Sequence, residues 1–202
     1  MIASFDVLAA PIAAADVALV PLSTAHADAL ANAFVDDELW TWLLLAKPQT
    51  RADVDAWIAS ALAAATRREA APFVVVRPDG TLAGTTRFLA IRPGDASLEI
   101  GSTMLFANAR GTWINSRVKA MMLERAFGCG YQRVELRTDA RNDRSRAAIT
   151  AIGATYEGTL RSLQRRADGR IRDTAVFSVL AREWLDVRQR LASRAARFME
   201  KI

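Results

Sequence analysis

The sequence contains one cysteine and one histidine in 202 residues. A single cysteine excludes an internal disulfide, and with His26 as the lone imidazole no Cys/His cluster can hold zinc, so no metal site is expected. A reducing, cytoplasmic compartment is the natural setting. Cys129 stands between Gly128 and Gly130, which suits a packing or loop thiol better than a nucleophile with a basic partner. His26 follows Ser23-Thr24 in the first turn of an expected helix and reads as a surface residue rather than a base. Long apolar runs are missing too. The opening Met1–Leu22 is rich in alanine and leucine, but Asp6, Pro11 and Asp16 interrupt it and the first basic residue is Lys47. It therefore lacks the positive start of a signal peptide, and no stretch suits a membrane span. Repeats, low-complexity tracts and linkers are absent, and the length suits one domain over 1–202 around a single core.

What the sequence has is a surplus of positive charge, +5 overall. Between Arg182 and Lys201 six basic residues face only Glu183, Asp186 and Glu200. These arginines read as the solvated face of a C-terminal helix over about 182–200, with Trp184, Val187, Leu191, Ala195 and Phe198 on its apolar side. That reading is preferred to nucleic-acid binding, and the same field would draw in a polyanionic small molecule.

Val17–Leu22 suits a short strand, and Ser23 or Thr24 then caps a helix towards Phe34. Val35–Gln49 reads as a loop or broken helix crowded with Asp36, Asp37, Glu38, Trp40 and Trp42; its acids suit a solvated cap, or the border of a site for a cationic amine. Thr50 and Asp53 resemble a capping box, and Val54, Trp57, Ile58, Ala61 and Leu62 follow at helical spacing. Asp79-Gly80 and Asp168-Gly169 each mark a hairpin turn between alternating strands.

The stretch Leu98–Asn115 reads as a strand that runs through the turn at Arg110-Gly-Thr-Trp-Ile-Asn115 into a long helix. The first turn of a helix has N–H groups without intrahelical partners and carries the positive end of the macrodipole, so a phosphate placed there meets several donors. Arg110, Gly111, Thr112 and Asn115 stand where such donors are needed; Gly111 keeps a Cβ out of the way, and Arg110 and Lys119 supply charge on either side. Ile114, Val118, Met121 and Met122 share one face of that helix and read as packing. Arg133–Asp139 is a further strand, and Ala140–Ser145 starts a short helix closing at Gly153.

From Gly101 to Trp184 the chain resembles the GCN5-related N-acetyltransferase (GNAT) superfamily, and within it the group like the ribosomal-protein N-terminal acetyltransferases. The matching runs are Arg110-Gly-Thr-Trp-Ile-Asn-Ser-Arg-Val-Lys119, Val134-Glu-Leu-Arg-Thr-Asp-Ala-Arg-Asn-Asp-Arg-Ser145, Glu157-Gly158 and Arg172-Asp-Thr-Ala-Val-Phe-Ser178. The expected fold is a mixed α/β single domain in the order β-α-α-β-β-β-α-β-α-β-β-α. The resemblance adds that the two central strands splay apart to admit acetyl-CoA.

The resemblance implies an enzyme that moves an acetyl group from acetyl-CoA, or another acyl group from its CoA thioester, to a primary amine such as a small amine or a peptide N-terminus. It places the pyrophosphate at Arg110–Asn115, the carbonyl-oxygen donor on the backbone around Ser102, Thr103 and Met104, and the pantetheine arm at Asn142. Ser145 would serve the departing thiolate, because the tyrosine that many superfamily members carry seven residues after that asparagine is Ile149 here. Asn142 and Ser145 also suit a plain helix cap. Glu99 is the candidate base, facing opposite Ile100, with a surface ion pair as the alternative. The group usually has a glutamate two residues after Asn115; Arg117 stands there instead. A domain that only binds coenzyme A or a protein partner, and a homodimer, stay open.

Overall fold

The computed structural model describes residues 1–199. The chain runs α1 (Phe5–Ala9), β1 (Ile12–Ala13), β2 (Ala18–Pro21), α2 (Ala27–Phe34), α3 (Arg51–Thr66), β3 (Ala71–Val76), β4 (Leu82–Arg92), β5 (Ser97–Leu105), α4 (Ile114–Gly128), β6 (Arg133–Asp139), α5 (Asp143–Ala151), β7 (Thr155–Arg165), β8 (Ile171–Leu180) and α6 (Trp184–Met199). Local chemistry sets several boundaries. The Thr50 hydroxyl accepts the Asp53 N–H at 3.2 Å, while the Asp53 carboxylate accepts the Thr50 N–H at 2.9 Å, so two donors at the start of α3 are satisfied reciprocally. Gly80 and Gly169 take φ of +84° and +83°, as the β3–β4 and β7–β8 turns require.

The expected order omitted the two opening elements, α1 and β1. Ser4 before α1 makes no side-chain cap, and α1 is held by Leu8, which is fully buried in the core. The two residues of β1 exist as a strand only through antiparallel pairing with Ala18 and Leu19. His26 is a half-buried cap rather than a free surface group, because its Nδ1 accepts the Ser23 N–H at 3.0 Å. Cys129 is buried after α4. Residue 200 of the expected C-terminal helix, with Glu200 and Lys201 of its charge count, lies outside the described residues.

The strands form one sheet in the order β1-β2-β3-β4-β5-β6-β8-β7, antiparallel throughout except between β5 and β6. One face packs Leu8, Ile114, Val118, Met122, Ile149 and Leu191 over Phe88, Leu98, Ile100, Leu136 and Phe177. The other carries a smaller core of α2 and α3, centred on Phe34, whose ring meets those of Trp40 and Trp57 edge-on at 5.0 Å each.

The one parallel junction is short. Ser97, Leu98 and Glu99 pair with Arg133, Val134 and Glu135, and there the pairing ends. β6 continues along β8, from Arg133–Leu180 to Asp139–Thr174, while β5 stays with β4. The central strands therefore splay as expected, and the edge of β5 beyond Gly101 has no strand partner on that side. Within this segment β5 takes three steps, from Gly101 to Met104, while β4 takes two, from Arg87 to Thr85. The extra residue is Ser102, at φ +46°. A bulge reverses side-chain parity: Leu98 and Ile100 face the larger core, whereas after it Met104 and Phe106 face the smaller one.

Candidate active site

Glu99 is the last β5 residue paired with β6, so it stands at the base of the splay. Its side chain is only 15 % exposed and lies 3.5 Å from Arg137 Nε, so it forms an ion pair that is largely buried rather than one on the surface. Burial raises its pKa above the ordinary glutamate value, with Arg137 opposing. Glu135, the next carboxylate over, is held by Arg92, Arg133 and Arg137. Burial raises its pKa, but the Arg137 hydrogen bond and charge prevail and keep it lowered. Two carboxylates on one rung of neighbouring strands are thus driven in opposite directions.

The bulge turns Thr103 towards α4. Its hydroxyl accepts from Lys119 Nζ at 2.7 Å and meets Thr86 Oγ1 at 2.9 Å. Met104 is buried, leaving only its backbone for the gap, and the Ser102 side chain is exposed.

After β5, Phe106 N–H donates to Ala83, and the chain turns through Gly111 at φ +70°, where a Cβ would meet nothing within 4 Å. The N–H groups of Gly111, Thr112 and Trp113 have no hydrogen-bond partner among the described residues. Thr112 spends its hydroxyl inside the turn, donating to Ala109 O at 2.7 Å and accepting from Ile114 N–H at 3.3 Å. Asn115 is half-buried in the first turn of α4.

Two residues are placed differently from the sequence expectation. Lys119, expected beside the turn, is buried between α4 and the sheet, because its position on the helix faces Thr103; burial brings its pKa down to about 7. Arg110 points back across the gap: Nε donates to Leu105 O at 2.9 Å, one terminal nitrogen to Glu38 at 2.5 Å and the other to Asp36. Glu38 also meets Arg144, at the start of α5. The Asp36–Glu38 turn therefore keeps Asp37 and Glu38 exposed, as a solvated cap would, but is not a free acidic border, since Asp36 and Glu38 hold Arg110 and Glu38 also meets Arg144. Burial pushes the Asp36 pKa up, but the Arg110 hydrogen bond and the Glu38 N–H outweigh it, leaving the group below its ordinary value.

On the far lip, Asn142 Oδ1 accepts the Ser145 N–H at 3.0 Å and caps α5. The half-buried Ser145 hydroxyl makes no hydrogen bond among the described residues. Arg117 finds Asp16 at 2.9 Å, which accounts locally for an arginine at that position.

The face that carries Glu99 also holds Thr85, Arg87, Arg137, Asp139 and Arg172. Sequence reasoning overlooked Arg87 and Arg172. Their signal is parity: Arg87 stands among buried residues of β4, and Arg172 keeps step with Thr174 and Val176 in a buried strand. The β7–β8 turn reaches over this face, where Arg166 donates to Thr41 O at 2.7 Å and Ala167 N–H to Leu44 O at 2.8 Å. No group of three metal-ligating side chains occurs among the described residues, and no helix there is long and apolar enough to cross a membrane.

The acetyltransferase (GNAT) domain family matches residues 16–155. A GCN5-related N-acetyltransferase from Brucella melitensis superposes with a TM-score of 0.84 at 28% identity, covering 91% of this chain and 84% of that one. A T. thermophilus protein assigned as an acetyltransferase does so at 0.83 with 33% identity, over 91% and 96% of the two chains. Mycobacterium smegmatis RimJ, solved in complex with CoA-disulfide, shares the fold at a TM-score of 0.76 and 24% identity, over 88% of each chain. No curated protein matches.

Proposed function

Because the chain belongs to the GNAT acetyltransferase family, we propose that it moves an acetyl group from acetyl-CoA to a primary amine by direct attack. The observation that carries this reading is the break in the sheet: β5 and β6 pair over three rungs and then part beside a bulged, unpaired strand edge. The CoA-bound RimJ neighbour is consistent with a CoA thioester in that gap.

When bound, acetyl-CoA supplies the activated acyl group. The free N–H groups of Gly111–Trp113 and the start of α4, with Asn115, receive the pyrophosphate, and the left-handed backbone at Gly111 keeps that approach open. Arg110 contributes there only by releasing Asp36 and Glu38, which now hold it. Backbone donors along Ser102–Met104 face the carbonyl oxygen, where they strengthen as negative charge builds. Glu99, with its pKa raised by burial, takes the proton from the attacking amine. Ser145 donates its uncommitted hydroxyl to the sulfur as the carbon–sulfur bond breaks. Asn142 keeps Oδ1 on the cap and offers its amide to the pantetheine arm. Lys119 acts from beneath the bulge by orienting Thr103, not as a phosphate ligand.

Thermal melts with and without acetyl-CoA test the cosubstrate assignment. A ligand that binds only the folded state raises Tm by mass action, so saturating acetyl-CoA should raise it, and Gly111→Val should abolish the shift. An unchanged Tm in the native protein would overturn the assignment.

A further inference from the structure

Buried polar atoms nearly always have partners, so clustered exceptions call for an explanation. Among the described residues five buried side-chain nitrogen or oxygen atoms have none; Thr85 Oγ1, Arg87 Nε and Arg172 Nε are three of them, all on the face that carries Glu99. Arg172 is 8% exposed and makes no side-chain hydrogen bond or ion pair among the described residues. The guanidinium of Arg87 has the Trp57 ring, 4.6 Å away, and no carboxylate.

The neighbouring cations are matched. Arg137 has Glu135 and Glu99; Arg141 has Asp139; Arg166 has Asp139, Asp168 and the Thr41 carbonyl. Arg87 stands beside Gly101 on β4, whereas Arg172 comes from β8, with β6 between it and β5. Burying a cation with no hydrogen-bonded carboxylate is costly, and both groups bear that cost on the face that carries Glu99. Burial lowers the pKa of both, to about 10 at Arg87. At Arg172 the charges of Asp139 and Glu99 oppose it, so this guanidinium lies within electrostatic reach of the proposed base.

We infer that the acceptor amine itself carries a negatively charged group, received by Arg172 and Arg87 while the amine lies at Glu99. This rests on the acetyl-transfer reading above. The guanidinium fork suits a carboxylate or phosphate oxygen pair, and the Trp57 ring 4.6 Å from Arg87 takes none of its N–H donors by a hydrogen bond to oxygen. A polyamine would be repelled by the same two charges. The carboxylate could be that of a free amino acid or an acidic side chain near a peptide N-terminus.

Matched acceptors separate these cases: alanine against alaninamide, and the capped dipeptide Ala-Asp-amide against Ala-Asn-amide, each with acetyl-CoA and detection of released thiol. The anionic member of at least one pair should react with a kcat/KM at least about tenfold higher, and Arg172→Met or Arg87→Met should erase that preference by raising its KM. The acetyl-CoA shift of Tm should persist in both variants, which shows that they fold. Arg172→Lys, which keeps the charge without the fork, should recover part of the preference.

Calorimetry of the same amines with the CoA-loaded protein provides a readout independent of turnover. If no amine is acetylated but the anionic one binds and Arg172→Met removes that binding, the anionic subsite stands while the acetyl-transfer reading fails. Preference for the neutral amines, or an anionic acceptor indifferent to both arginines, would overturn the inference and leave acetyl transfer intact.

Discussion

At the scale of single residues the site rests on two groups whose charge the fold has moved. Glu99 is the acid whose pKa burial raises, and a base must be ionised to work, so activity should fall along an acid limb lying above the ordinary glutamate range. Glu99→Gln should remove that limb and lower the rate by about 10² to 10⁴, the span typical of general base catalysis. A pH profile of kcat/KM checks it, and an unchanged limb in the variant would take the proton acceptor away from Glu99. Lys119 is the mirror case, a base lowered from 10.5 to about 7. Across that window the unfolded chain holds a proton that the folded chain does not, so stability grows as pH rises from about 7 towards 10.5 and is lost as it falls back. Lys119→Met should flatten this dependence and gain stability over the native protein at pH 7 more than at pH 10. Denaturant melts at the two pH values decide it; parallel curves would mean that Lys119 is not buried as a reluctant cation.

At the scale of elements the gap depends on how β4 and β5 are locked together while β6 is let go. Gly84 makes that lock specific, since a Cβ there would stand 2.3 Å from Met104 O and 3.2 Å from Leu105 Cα, both backbone atoms that cannot swing aside. Gly84→Ala should therefore destabilise the fold by about 1 to 3 kcal/mol and disturb the segment after the Ser102 bulge. Equilibrium denaturation together with acetyl-CoA affinity checks both effects, and wild-type values for each would show that the strand pair yields freely. The bulge also explains what the sequence could not reveal about Thr103 and Lys119. Alternation read straight through Leu98–Leu105 keeps one parity, whereas the extra residue at Ser102 turns Thr103 towards α4 and draws Lys119 inside. Only pairing with β4 exposes that shift.

At the scale of the whole molecule, what was legible is what neighbouring residues decide. The Asp-Gly turns, the Thr50–Asp53 box and the strand that enters α4 through Gly111 all stand where local chemistry sets them. Elements made by their partners were not legible: α1 lacks a side-chain cap and the Ala14–Val17 turn after β1 carries no glycine, so the two exist through Leu8 burial and pairing with β2. Likewise the grip of Asp36 and Glu38 on Arg110 spans more than seventy positions of sequence, and the bare guanidiniums of Arg87 and Arg172 share a face only because β4 and β8 belong to one sheet. The proposed acetyl transfer draws these parts into one account, with the splay admitting the thioester and Glu99 at its base. Its most direct test is a single incubation of the protein with acetyl-CoA and a panel of primary amines, following free thiol and the mass of each amine together. Thiol released in step with an amine that gains one acetyl group, and lost in Glu99→Gln, is the predicted result. Thiol released with no amine modified, or no thiol released from acetyl-CoA with any acceptor by a protein whose Tm acetyl-CoA does raise, would contradict it.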